Sequence, residues 1–179
     1  IQSLLRDFQQ AQHHIHLQTY IIEDDAVGRL VADALVDCAR RGVEVRLLYD
    51  DVGCWNVDAA FFSRMQQAGV EVQPFLPVRF PSLTHRANYR NHRKVCIIDG
   101  RVGYVGGMNL ALRYMREQGK ESGAWRDLHL RMEGAAVHGL QRIFATDWYF
   151  MRKELLGNDA YFPLVKPTAP IAHPTLIQI

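Results

Sequence analysis

Two stretches of the chain end a helix alike and then extend: RRGVEVRLLYDD (40–51) and QAGVEVQPF (67–75). Each sets a glycine after an amphipathic segment and follows it with alternating β-branched residues, the grammar of a helix-to-strand turn. Ahead of the first, Val27, Leu30, Val31, Ala34, Leu35 and Cys38 recur at i, i+3, i+4 and predict a helix over Val27–Arg41. Asp24 and Asp25 precede it, and Arg40 and Arg41 occupy its last turn, where cations suit the helix dipole. HLQTYII (16–22) reads as the strand before it. A strand–helix–strand order predicts parallel strands joined by a crossover helix. The repeated V-E-V is shared turn grammar rather than a duplicated unit.

The rest of the chain continues the alternation. Ser3–His14 reads as a short helix, and Asp58–Ala68 as another, stopped by Gly69. KVCII and RVGYVGG flank Asp99-Gly100, a strong signal for a two-residue hairpin. A helix is expected from near Asn109, then a strand LHLRM, then a helix over Gly134–Phe150. The loop Leu76–Asn91 is long for a compact domain, a length that often marks a functional segment. Beyond Gly157, Pro163, Pro167, Pro170 and Pro174 read as a linker. The expectation is an α/β domain with a mixed sheet over 1–156 and a Pro-rich segment over 157–179.

Composition narrows the function classes. Of 179 residues, 48% are apolar, enough for a sizeable core, yet no run reaches the length of a spanning helix and IQSLLRDFQQ is no signal peptide. The start without Met and the apolar close TLIQI read as a piece of a longer protein. Net charge is +2, too balanced to argue for nucleic-acid binding by bulk electrostatics. Cys38, Cys54 and Cys96 have no C-x-x-C spacing, so neither a disulfide framework nor a zinc site is expected, and a reducing compartment fits.

The chemistry concentrates in NHRKVCIIDGRVGYVGGMN (91–109). His92 and Lys94 stand two apart on an expected strand and so share a face. Two potential cations there attract an anion, and the lysine tends to keep the imidazole neutral and nucleophilic. Asp99 follows at the turn. Gly106 and Gly107 allow close approach of backbone to a ligand, and Asn109 adds an amide donor. Together these describe a phosphate-sized site with a nucleophile and no metal ligands.

At these residues the sequence resembles the phospholipase D superfamily, whose signature is H-x-K-x4-D followed by a small-residue pair and Asn. NYRNHRK, IDGRVGYVGG-x-N, WRDLHLRMEGAAVHGLQRIFATDW and the early TYIIEDD are similar to the first catalytic half of bacterial cardiolipin synthases. The resemblance implies a phospholipase D-like α-β-α sandwich with a mixed, largely parallel central sheet. It implies a phosphatidyltransferase that joins two phosphatidylglycerols into cardiolipin and glycerol. His92 would attack phosphorus and become a phosphohistidine, while Lys94 and Asn109, with Gly107 beside them, would hold the non-bridging oxygens. Asp127 would orient His92, and Asp99, though part of the motif, would brace the hairpin. No cofactor or metal is implied. The implied partners are phospholipid, a membrane surface reached through the full-length parent at the bacterial plasma membrane, and a second H-x-K-x4-D half. TLIQI resembles that half's first strand.

Other readings stay open. A single-motif phosphodiesterase or nuclease could complete its site by homodimerisation, although the charge balance makes nucleic acid an unlikely ligand. The isolated chain could also bind phosphate without turnover. Asp127 could pair with Arg126 or Arg131, and His129 could line the site or sit in the core. His13, His14 and His16 lack a matching carboxylate or cysteine cluster and read as a solvated helix end rather than a metal site. Tyr89, Arg90 and Asn91 either shape the pocket or pack the loop. Arg79, Phe80, Arg86 and Arg90 either face anionic lipid or are solvated. Trp55, Trp125 and Trp148 read as core.

Overall fold

The computed structural model describes residues 1–78, 90–115 and 127–164. Helix α1 (Gln2–Gln10) leads into β1 (His14–Thr19). Then come α2 (Ala26–Arg40), β2 (Glu44–Asp50), α3 (Ala59–Gln67) and β3 (Glu71–Phe75). A hairpin of β4 (Val95–Ile98) and β5 (Val102–Gly106), an edge strand β6 (His129–Glu133) and helix α4 (Val137–Arg152) complete the core. The sheet order is β3-β2-β1-β4-β5-β6.

Alternation along the strands divides the molecule into two layers of packing. Ile15, Leu17, Val45, Leu47, Cys96 and Ile98 meet α1, α2 and α3 in one core with Phe8, Leu35 and Met65. Leu48, Val95 and Ile97 meet Leu140, Phe144 and Trp148 of α4 in the other. Successive strand residues face opposite ways, so both faces must be apolar and covered. Helices on both faces make the α-β-α sandwich that the resemblance implied.

The sheet is mixed, but the expectation that it is largely parallel needs correction. β1–β2 and β2–β3 are parallel, while β1–β4, β4–β5 and β5–β6 are antiparallel. Crossover helices α2 and α3 allow the parallel half. The Asp99-Gly100 turn, with positive φ at both residues (53° and 63°), reverses the chain for the rest. Gly42 and Gly69 end the two crossovers in the left-handed region, at φ 89° and 96°.

The expected first helix is shorter than Ser3–His14. Asp99 accepts hydrogen bonds from the backbone N–H groups of Gln12 (2.9 Å), His13 (2.8 Å) and His14 (2.9 Å), which pulls this segment out of the helix and starts β1. His14 and His16 are therefore not at a solvated helix end. Both are fully buried on the α4 side of β1. The His16 ring stacks on Phe144 at 4.6 Å and reaches the Gln141 side-chain amide. His14 packs edge-on against Tyr161 at 5.0 Å. Among the described residues no group of His, Cys, Asp or Glu is arranged to hold a metal ion, and no helix is long and apolar enough to cross a membrane.

Near Asn109 the described residues form a single 3-10 turn, Leu112–Tyr114, rather than a full helix. Trp148 is core as expected, whereas Trp55 is 63% exposed on the turn after β2. Residues 157–164, expected as the start of a linker, pack back on the domain: Tyr161 is buried in the α4 core and donates to Glu44 Oε2 at 2.7 Å. The later prolines lie outside the described residues.

Burial, reinforced by neighbouring His13, pushes His14 from 6.5 down to about 4, and burial pushes His16 down too. Asp99 and Glu44 oppose the shift at His14. The unfolded chain thus binds these protons more readily than the folded one. Stability is fully present above the unfolded value of 6.5 and is lost as pH falls towards 4, by about 3 kcal/mol from His14. Urea unfolding from pH 7 to 4 is expected to show this loss, and His14→Gln to flatten the profile.

Candidate active site

His92 stands on the extended segment that leads into β4, between two residues that are fixed from below. Asp50, at the end of β2, accepts from the backbone N–H of Asn91 (3.1 Å) and from Val52 and Gly53. The Arg90 guanidinium lies 3.7 Å from the same buried carboxylate. Asp147 of α4 accepts from the Asn91 side-chain amide (2.8 Å), Gln18 (2.8 Å) and Arg93 (2.8 Å). Buried carboxylates persist where every lone pair has a donor. Asn91 is thereby buried and Arg93, itself exposed, is tied to Asp147, while the His92 side chain is exposed.

Lys94 follows at the threshold of β4, which begins one residue later than the motif suggested. Its Nζ donates to the His92 carbonyl at 2.8 Å and lies 5.1 Å from the centroid of the Tyr20 ring. That ring stacks on the His92 imidazole at 3.9 Å. The strand register is lost, yet the two motif residues still share one side of the molecule, here through Tyr20.

The end of β5 supplies the other wall. Asn109 is buried, and its side-chain oxygen accepts from Ile21 N at 3.3 Å, which pins it to the end of β1. Gly107 packs under Asp127 so tightly that a Cβ would lie 2.5 Å from its Oδ1. Asp127 lies two residues ahead of β6, which His129 opens. Burial lowers the Lys94 pKa, and the Asp127 carboxylate opposes that shift. Among the described residues no hydrogen bond joins Asp127 to His92; the carboxylate rests against Gly107 and acts on Lys94. His129 is half-buried, its pKa lowered by burial, with its ring along Tyr104.

The structure therefore gathers His92, Lys94, Asn109, Gly107 and Asp127 at one end of the sheet. Asp99 is not among them. It lies beyond the far end of β4, roughly 16 Å along the strand from Lys94, where it braces the hairpin and β1. Tyr20, Gln18, Asp50 and Asp147 belong to the site's surroundings without any local mark. Tyr20 did lie inside the quoted TYIIEDD block, and Asp147 inside the block ending ATDW. Tyr89, Arg79, Phe80, Arg86, Trp125 and Arg126 lie outside the described residues.

Beside His92 opens a cavity of about 970 Å³, lined by Phe75, Leu76, Arg90, Asn91, His92, Arg93, Thr146, Asp147 and Phe150. Its apolar wall is Phe75 and Phe150, whose centroids are 6.0 Å apart. Arginine and histidine side chains line its other side. Such a surface suits a molecule with an anionic group and an apolar body.

Comparison with known proteins bears on the family and the fold. A family model described as cardiolipin synthase, PLD-like domain, matches residues 4–148. A cardiolipin synthase of Geobacillus kaustophilus is 46% identical over 165 residues, 91% of this chain and 33% of that protein. Cardiolipin synthase 2 of Bacillus anthracis is 46% identical over 160 residues, 89% of this chain and 31% of that protein. The chain thus spans about a third of the length of these relatives. Among solved structures, the phospholipase D family member Nuc from Salmonella typhimurium superposes with a TM-score of 0.58 at 18% identity, covering 84% of this chain and 87% of that one. At that identity the likeness speaks for the fold.

Two measurements check the geometry. By NMR titration, Lys94 Nζ is expected to ionise below the ordinary 10.5, and Asp127→Asn to lower it further, because the carboxylate that favours the ammonium is gone. Asp99→Ala is expected to cost about 3 kcal/mol in urea unfolding through its three lost backbone contacts.

Proposed function

Since the chain belongs to the family of cardiolipin synthase, PLD-like domains, we propose that it is the first catalytic half of a bacterial phosphatidyltransferase that joins two phosphatidylglycerols into cardiolipin and glycerol. The observation that supports this most directly is an exposed, backbone-anchored imidazole that lines a cavity with an apolar wall, with the Lys94 ammonium on the His92 carbonyl and Asn109 at the same end of the sheet. His92 attacks the phosphodiester phosphorus. The bond from phosphorus to the headgroup glycerol oxygen breaks, and glycerol leaves with a proton donated by an acid from a second H-x-K-x4-D half. The phosphatidyl group remains on His92 as a phosphohistidine, which divides one hard displacement into two.

Lys94 and Asn109 stabilise the charge on the five-coordinate phosphorus. The primary hydroxyl of a second phosphatidylglycerol then gives its proton to the same partner group and displaces the histidine. The P–N bond breaks, and cardiolipin is released. Phe75 and Phe150 receive the apolar part of a lipid, and the parent protein works at the bacterial plasma membrane. The carboxylate of Asp127 raises the basicity of Lys94 and so preserves its cation in a half-buried position.

In the full-length protein carrying this chain, phosphatidylglycerol labelled in its phosphate is expected to leave acid-labile, base-stable label on the protein. His92→Gln should remove that label and lower cardiolipin formation by at least about 10³-fold. Wild-type rates in His92→Gln would end this reading. Metal-independent hydrolysis of a simple phosphodiester by the chain alone, lost in His92→Asn, would instead favour a homodimeric phosphodiesterase.

A further inference from the structure

Tyr20 closes β1 with its ring flat against the catalytic imidazole. The ring centroids of Tyr20 and His92 are 3.9 Å apart and their planes 18° from parallel. The same ring carries the Lys94 ammonium 5.1 Å from its centroid. Its seat is built: a Cβ on Gly53 would fall 2.2 Å from the Tyr20 carbonyl oxygen and 3.1 Å from Cδ2, and the Cys54 thiol donates to that carbonyl. Asp50 holds the Gly53 N–H at 2.9 Å and the Asn91 N–H at 3.1 Å, so the support of Tyr20 and the backbone of the nucleophile hang from one carboxylate.

Stacking does two things for a nucleophilic histidine. It holds the plane of the ring while leaving the nitrogen lone pairs, which lie in that plane, open to phosphorus. It also favours the product of attack. When a neutral imidazole bonds to phosphorus through one nitrogen and keeps its proton on the other, the ring becomes a phospho-imidazolium, and an aromatic face attracts that cation. Among the described residues no hydrogen bond orients the His92 ring, and the stack on Tyr20 restrains its plane.

We propose that Tyr20 is a positioning residue that sets the plane of His92 and aligns Lys94 beside it through one aromatic ring. The proposal rests on the phosphohistidine reading above. The ring, not the hydroxyl, does this, so Phe should substitute and a branched aliphatic should not.

The test uses the full-length protein with Tyr20→Phe, Tyr20→Leu and His92→Gln, all checked by thermal unfolding. Tyr20→Met serves in place of Tyr20→Leu if that variant does not fold. Tyr20→Phe is expected to keep kcat within about threefold, and Tyr20→Leu to lose roughly 30- to 100-fold in kcat with KM for phosphatidylglycerol within about threefold. The ring-current shift of the His92 imidazole protons should persist in the Phe variant and vanish in the Leu variant. A Leu variant with wild-type kcat, beside an inactive His92→Gln, overturns the role of Tyr20 and leaves the nucleophile standing. An active His92→Gln overturns the phosphohistidine reading and this proposal with it.

Discussion

The Asp147 carboxylate is the contact on which the site depends. It is buried under α4 and takes donors from three side chains: Gln18 on β1, and Asn91 and Arg93 on either side of His92. A carboxylate out of water is tolerated when it is paired and fully hydrogen-bonded, and it is costly when one donor goes. That asymmetry makes the segment around His92 stiff. Asp50 repeats the device from the end of β2 through the Asn91 backbone and Arg90. An exposed histidine on a short irregular segment would otherwise sample many positions.

The α4 face of β1 carries a second polar arrangement. His14, His16 and Gln18 alternate with Ile15 and Leu17, so a column of polar side chains points into a core otherwise made of Leu140, Phe144 and Trp148. Stacking of His16 on Phe144 and the edge-on contact of His14 with Tyr161 replace water for the imidazoles, and burial favours the neutral form of both. Next to them Arg46 is charged and buried, and it is surrounded by Glu44, Glu71 and Glu154 at 3.0–3.3 Å. Tyr161 joins this group from the C-terminal side, which is why the chain through residue 164 belongs to the packed domain.

Much of the fold was legible because its signals are local. The apolar period of α2, the glycines after α2 and α3, and the Asp-Gly turn each act over a few residues, and each stands where it was expected within a residue or two. The neighbourhood of His92 and Lys94 was legible for the same reason, since they stand two residues apart. Trp55 and the histidine triplet were misread because burial is decided by what packs above a residue. His14 and His16 are polar side chains on a strand whose far face is covered by a helix more than 100 residues later. The parallel and antiparallel halves of the sheet likewise depend on the register of β4 against β1, which no local pattern encodes.

By itself the sequence determined the alternation of helices and strands, the H-x-K-x4-D spacing and the family resemblance, since these signals lie along the chain. Tertiary structure alone decided which distant residues complete the site. Tyr20, Asp50 and Asp147 come from β1, the end of β2 and α4, and they meet His92 because the sheet brings strand ends together in space. Stacking and carboxylate pairing act over 3–4 Å, so their partners are selected by the fold rather than by sequence proximity.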